Sequence, residues 1–137
     1  MIQEEPGEPK KERYVLANAQ DLIAVRRRLR QMVIETSLSA EQGLRLIAAV
    51  SELGQNILEH AGSGELVLWR SESPVGIVAE AIDQGPGIPN EEEALRPGYS
   101  TSEGSGLGLS GVRWIADEFS IRSEPGKGTY VRIAFWK

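Results

Sequence analysis

The sequence predicts an α+β fold, a two-layer sandwich in which a mixed, mostly antiparallel sheet carries helices on one face. Three observations predict it. Two strand pairs are joined by turn-rich links, two long amphipathic helical patterns fill the first half of the chain, and the apolar stripe on each helix is one-sided.

The elements follow in order. Met1 to Arg13 is charged and proline-bearing and is expected to be a flexible segment ahead of one domain spanning 14–137. Tyr14–Ala17 reads as a short strand, and the next residues, Asn18 to Asp21, offer a cap for a helix whose apolar members are Leu22, Val25, Leu29, Met32 and Val33. Arg26, Arg27, Arg28 and Arg30 fall mostly on its outer face, the pattern of a solvated helix surface. Ser39 with Gln42 forms a capping-box pattern, and Leu46, Val50, Leu53 and Ile57 recur at helical spacing. Gly62 then marks a stop, which predicts a helix from about Ala40 to Ala61. Leu66–Trp69 and Val75–Ile82 read as strands joined by the turn-prone Ser71–Pro74. A second pair, Phe119–Ser123 and Tyr130–Phe135, closes across Glu124–Gly128, where Pro125-Gly126 favours a type II turn. Between the pairs lie a Gly- and Ser-rich loop or lid, Pro97 to Ser105, and a helical pattern over Leu107–Ala116.

Composition narrows the function classes. The chain has 137 residues, 40% hydrophobic and 26% charged, enough for one core. It has no cysteine and one histidine, so neither disulfides nor a Cys/His zinc site is expected. A net charge of -5 argues against general nucleic-acid binding, which draws on clustered basic residues. No apolar run approaches a bilayer span, so a cytoplasmic protein without a membrane partner is expected.

Two glycine clusters carry the chemistry: Asp83-Gln84-Gly85-Pro86-Gly87-Ile88 and Gly104-Ser105-Gly106-Leu107-Gly108-Leu109. Glycines let backbone amides approach a ligand closely, and the second cluster runs into a helix whose N-terminal N–H groups suit phosphate. Asp83 can accept a hydrogen bond from the exocyclic amine of adenine, where guanine has a carbonyl. Glu52 and Asn56 lie one helical turn apart beside the apolar face. The amide oxygen of Asn56 suits Mg²⁺, and the Glu52 carboxylate suits a general base. Thr129 could add a hydroxyl near the base. Taken singly, such residues are ordinary: a solvated polar stripe, a turn aspartate, flexible loops, a β-branched strand residue. Their order and spacing together point to an ATP pocket.

His60 reads as a hydrogen-bonded or capping residue near a helix end, not a phosphoacceptor. The stretch 106–111 matches a dinucleotide fingerprint by letter, but a loop precedes it and too little chain follows. Gly126-Lys127-Gly128-Thr129 lacks the upstream glycine of a P-loop and is a turn.

These residues resemble the GHKL ATPase and kinase superfamily. Glu52-Leu53-Gly54-Gln55-Asn56 is similar to its N box, Asp83 to Ile88 to its first glycine box, Gly104 to Leu109 to its second, and Thr129 to the threonine of its last box. The resemblance covers the chain from about Tyr14 onward and is strongest to short bacterial switch serine/threonine kinases, with anti-sigma kinases as relatives. It implies Asn56 as Mg²⁺ ligand, Glu52 as general base and Asp83 as adenine anchor. The glycines at 85, 87, 104, 106 and 108, with Ile88, Ser105, Leu107, Leu109 and Thr129, complete the nucleotide cradle. It further implies STAS-domain proteins of a stressosome as substrates and scaffold, with a phosphatase or other regulator downstream. Two alternatives are an anti-sigma factor or nucleotide-gated switch, and a histidine-kinase-like ATPase domain. Some anti-sigma relatives carry arginine immediately before the second glycine box, where this chain has Gly104. That leaves Arg96, Arg113 and Lys127 as candidates for the γ-phosphate.

Overall fold

The computed structural model describes residues 9–87 and 108–137. Among the described residues five strands and three helices follow in order: β1 (Glu12–Leu16), α1 (Ala19–Thr36), α2 (Ala40–His60), β2 (Gly64–Glu72), β3 (Val75–Asp83), α3 (Gly108–Ile115), β4 (Glu118–Glu124) and β5 (Gly128–Trp136). The sheet order is β1-β2-β3-β5-β4, and every pairing is antiparallel. The fold is the expected α+β sandwich with a mostly antiparallel sheet, antiparallel at every pairing among the described residues; β3 and β5 pair although α3 and β4 intervene in sequence. The first strand opens at Glu12, two residues ahead of the predicted start, because Glu12 and Arg13 pair with Leu68 and Val67.

Local chemistry sets the helix ends. Asn18 Oδ1 accepts the Asp21 N–H at 3.1 Å and Asp21 Oδ2 accepts the Asn18 N–H at 3.2 Å, a reciprocal cap that opens α1. Ser39 and Gln42 repeat the device at α2, and the Gln42 side-chain amide also donates to the Trp136 carbonyl at 2.7 Å, tying the helix start to the end of β5. Ala61 caps α2.

Alternation sorts the sheet into two faces. Leu66, Leu68, Ile77, Ala79, Ala81, Val131, Ile133 and Phe135 join Leu29, Met32, Leu46, Val50, Leu53 and Ile57 of the helices in the main core. On the opposite face Val67, Val78 and Ala134 are buried beside Trp69, with Ile82 and Trp136 packed around them. Lys11 lies 4.5 Å from the Trp69 ring centre, and Arg132 lies 5.9 Å from it, so cations shield the indole on this face. Tyr130 donates a hydrogen bond to Glu80 there; burial and that carboxylate push its hydroxyl pKa up to about 12.

The arginine cluster divides. Arg27 and Arg30 are exposed as expected, whereas Arg26 and Arg28 are half-buried. Arg26 Nε donates to Ser51 Oγ at 2.8 Å, linking α1 to α2. Arg28 holds both Glu12 carboxylate oxygens at 2.8 and 2.9 Å and reaches Glu35 at 3.3 Å, which fastens edge strand β1 to α1. The guanidinium keeps the Glu12 carboxyl below its ordinary range. Two of the four arginines are therefore structural, because α1 lies close enough to its neighbours for the side chains to reach back.

Candidate functional site

The site lies at one end of the sandwich, where α2, the end of β3 and the start of β5 converge. Pairing brings Gly64, Asp83, Thr129 and Ser123 into one row across four strands. The row faces the helices, since a Cβ on Gly64 would fall 2.7 Å from Ile57 Cγ2 of α2 and 3.2 Å from Asp83 Cβ. Thr129 and Ser123 share a hydrogen bond of 3.0 Å, and half-buried Asp83 stands beside them. Asp83 Oδ1 accepts the Gly85 N–H at 2.9 Å, an aspartate turn that aims the carboxylate and opens the loop. The loop then touches the end of α2, where a Cβ on Gly85 would sit 2.7 Å from Ala61 Cβ. Asp83 borders two hollows. One of about 440 Å³ is flanked by Ala61, Gly64 and Gln84, and one of about 230 Å³ by Ser123, Lys127 and Thr129.

On α2, Glu52 is 3% exposed and Asn56 half-buried one turn later. Glu52 Oε1 accepts the backbone N–H of Gly108 at 3.1 Å, at the first residue of α3. A carboxylate at a helix N-terminus satisfies an otherwise orphan donor and the positive end of the helix dipole. Leu109 and Val112 bury the same helix against the core. The end of the second glycine cluster is thus anchored to the predicted general base.

The structure unites Asp83, Gly85, Gly87 and Thr129 around one loop, and sets Glu52 against Gly108, with Leu109 next in α3. Ile88, Gly104, Ser105, Gly106, Leu107 and Arg96 lie outside the described residues. Arg113 is exposed on α3, and Lys127 pairs with Glu124 at 3.2 Å. His60 is exposed at the end of α2. Among the described residues no group of three or more His, Asp or Glu side chains gathers to hold a metal. Half-buried Asn56 offers one amide oxygen, a donor of the kind that fits an ion taking most of its ligands from phosphates and water.

The close packing of two glycines escaped the sequence reading. Gly54, inside the N box, admits α1, since a Cβ there would fall 2.6 Å from Leu22 Cδ1. Gly128 lies against the backbone of Asp83. A glycine within a helical pattern and a glycine before a strand were the available signals.

Comparison with known proteins adds an independent line. Residues 41–137 match the histidine kinase-, DNA gyrase B- and HSP90-like ATPases. The chain is similar to serine/threonine-protein kinase RsbT of Bacillus subtilis, 38% identical over 85% of this chain and 89% of that one. An anti-sigma F factor of Caldanaerobacter subterraneus is 34% identical over 62% of this chain and 64% of that one, so the chain spans just under two thirds of this relative. In a solved structure, the RsbU and RsbW domains of a Mycobacterium tuberculosis protein superpose with a TM-score of 0.65. They cover 96% of this chain and 33% of that one at 18% identity, a likeness of fold.

Proposed function

Because the chain belongs to the family of histidine kinase-, DNA gyrase B- and HSP90-like ATPases, we propose that it is an ATP- and Mg²⁺-dependent serine/threonine protein kinase. Its substrates in this reading are STAS-domain proteins of a bacterial stressosome or similar partner-switching pathway in the cytoplasm, with a phosphatase or other regulator as downstream partner. The observation that carries the kinase reading is the pairing of a buried Glu52 with the N-terminus of α3. Likeness to the kinase RsbT over most of both chains supports it. No helix among the described residues is long and apolar enough to cross a membrane.

In the mechanism, Asp83 orients adenine through its exocyclic amine, and Thr129 adds a hydroxyl beside it. The first turn of α3 presents N–H groups to the phosphates. Mg²⁺, held on the protein side by Asn56, would neutralise phosphate charge. Glu52 takes the proton of the acceptor hydroxyl as its oxygen bonds to the γ-phosphorus; the bond to the bridging oxygen breaks, and ADP leaves with that electron pair. Incubating the chain with labelled ATP and a STAS-domain protein, then mapping the label, tests this. Acid-stable phosphate on a serine or threonine is expected. Acid-labile phosphate on histidine would turn the reading towards a histidine-kinase-like domain.

The anti-sigma F relatives favour a second reading, a nucleotide-gated binding switch in which phosphorylation is secondary. Stoichiometric capture of a sigma factor without transfer to any STAS protein would select it.

A further inference from the structure

The β4–β5 turn interlocks with the Asp83 loop at three points. Gly128, at φ +111°, lies so close to β3 that a Cβ would fall 2.1 Å from the Asp83 carbonyl oxygen and 3.0 Å from Gln84 Cα. Two residues earlier in the turn, the Gly126 N–H donates to the Pro86 carbonyl at 2.7 Å. Gly87, at φ +78°, presses on the turn from the other side, a Cβ there falling 2.3 Å from the Glu124 carbonyl oxygen. The turn itself is held closed by Lys127 N–H to Glu124 O at 3.0 Å and by Ser123 Oγ donating to Gly128 O at 3.2 Å.

We propose that Gly128 is a positioning residue for base selection: the turn is a rigid seat that fixes the backbone of Asp83 and Gln84, and through it the depth of the Asp83 carboxylate. This rests on the reading of Asp83 as the adenine anchor. Contacts at these distances leave no room for a methyl group, so an added Cβ must move the loop or the turn. A carboxylate displaced by a fraction of an ångström loses its aligned hydrogen bond to an amine, because such bonds weaken steeply with geometry. Gly126 supplies the internal comparison. It shares a positive φ, +79°, but a Cβ there meets nothing within 4 Å and its N–H to the Pro86 carbonyl is kept, so substitution strains the turn without pushing on Asp83.

The test compares ATP and GTP binding by calorimetry in the full chain and in Gly128→Ala, Gly126→Ala, Ser123→Ala and Thr129→Val, with circular dichroism to establish folding. Gly128→Ala is expected to lower the ATP-to-GTP preference by about tenfold or more, through weaker ATP binding. Gly126→Ala is expected to keep the parental preference. Ser123→Ala, which removes the bonds to the Gly128 carbonyl and to the Thr129 hydroxyl, is expected to lower the preference about threefold, beyond the effect of Thr129→Val, and serves if Gly128→Ala does not fold. Parental preference in folded Gly128→Ala or, where that variant does not fold, a Ser123→Ala effect no larger than that of Thr129→Val overturns the seat alone. Equal loss in Gly126→Ala also overturns it. An unsubstituted chain that binds neither nucleotide overturns the ATP reading and the seat with it.

Discussion

The backbone N–H of Gly108 donates to the buried carboxylate of Glu52 across 56 positions of chain, so the carboxylate proposed as the general base also holds the start of α3. The two roles are separable. Glu52→Gln keeps an oxygen acceptor for Gly108 and loses the base; phosphotransfer should fall on the order of 10²–10⁴-fold with stability little changed. Glu52→Ala also strands a buried N–H and should cost about 1–3 kcal/mol in denaturant unfolding. Unaltered transfer in Glu52→Gln would remove the base role.

Asp83→Asn retains an oxygen for the Gly85 N–H and should leave the loop turned. Its amide no longer makes a charge-assisted bond to adenine, so ATP binding should weaken by about 1–3 kcal/mol by calorimetry. Equal affinity would place the base elsewhere.

The Arg28–Glu12 pair predicts an acid limb in stability. Glu12 titrates below its ordinary value in the fold, mainly through the hydrogen bonds from Arg28, so its contribution is present above the unfolded-state pKa of 4.5 and is lost as pH falls through the lower folded value. Denaturant midpoints should decline below about pH 4.5, and Arg28→Ala should flatten that part of the decline. An identical slope in both proteins would show that the pair does not report on folding.

Trp69→Ala should destabilise by about 3–5 kcal/mol, because it strips the cover from Val67, Val78 and Ala134 and leaves Lys11 and Arg132 without a ring to stack on. Thermal unfolding measures it. A change under about 1 kcal/mol would mean that neighbouring side chains close the gap.

Much of the fold was legible because local signals agreed. The Ser39–Gln42 cap, the Pro125-Gly126 turn and the 3.6-residue periodicity each marked an element that the structure contains. Most strand ends were read short by one to three residues because pairing, which extends β2 through polar residues such as Glu65 and Arg70, is set by the partner strand. The grouping of Asp83 with Thr129 followed from motif order. The Glu52–Gly108 bond and the seating of Gly128 did not, since both join residues more than forty positions apart through backbone atoms that no side-chain pattern records. Likewise Arg28 looked solvated until β1 brought Glu12 alongside.

Trp114 stands 88% exposed on α3, six residues after the glycine whose N–H is anchored on Glu52, whereas Trp69 is 7% exposed beneath its cations. The molecule therefore carries an intrinsic optical reporter on the helix proposed to receive the nucleotide's phosphates. With Trp69 and Trp136 as a steady background, stopped-flow emission from Trp114 would register ligand arrival or partner docking in real time, without an attached dye.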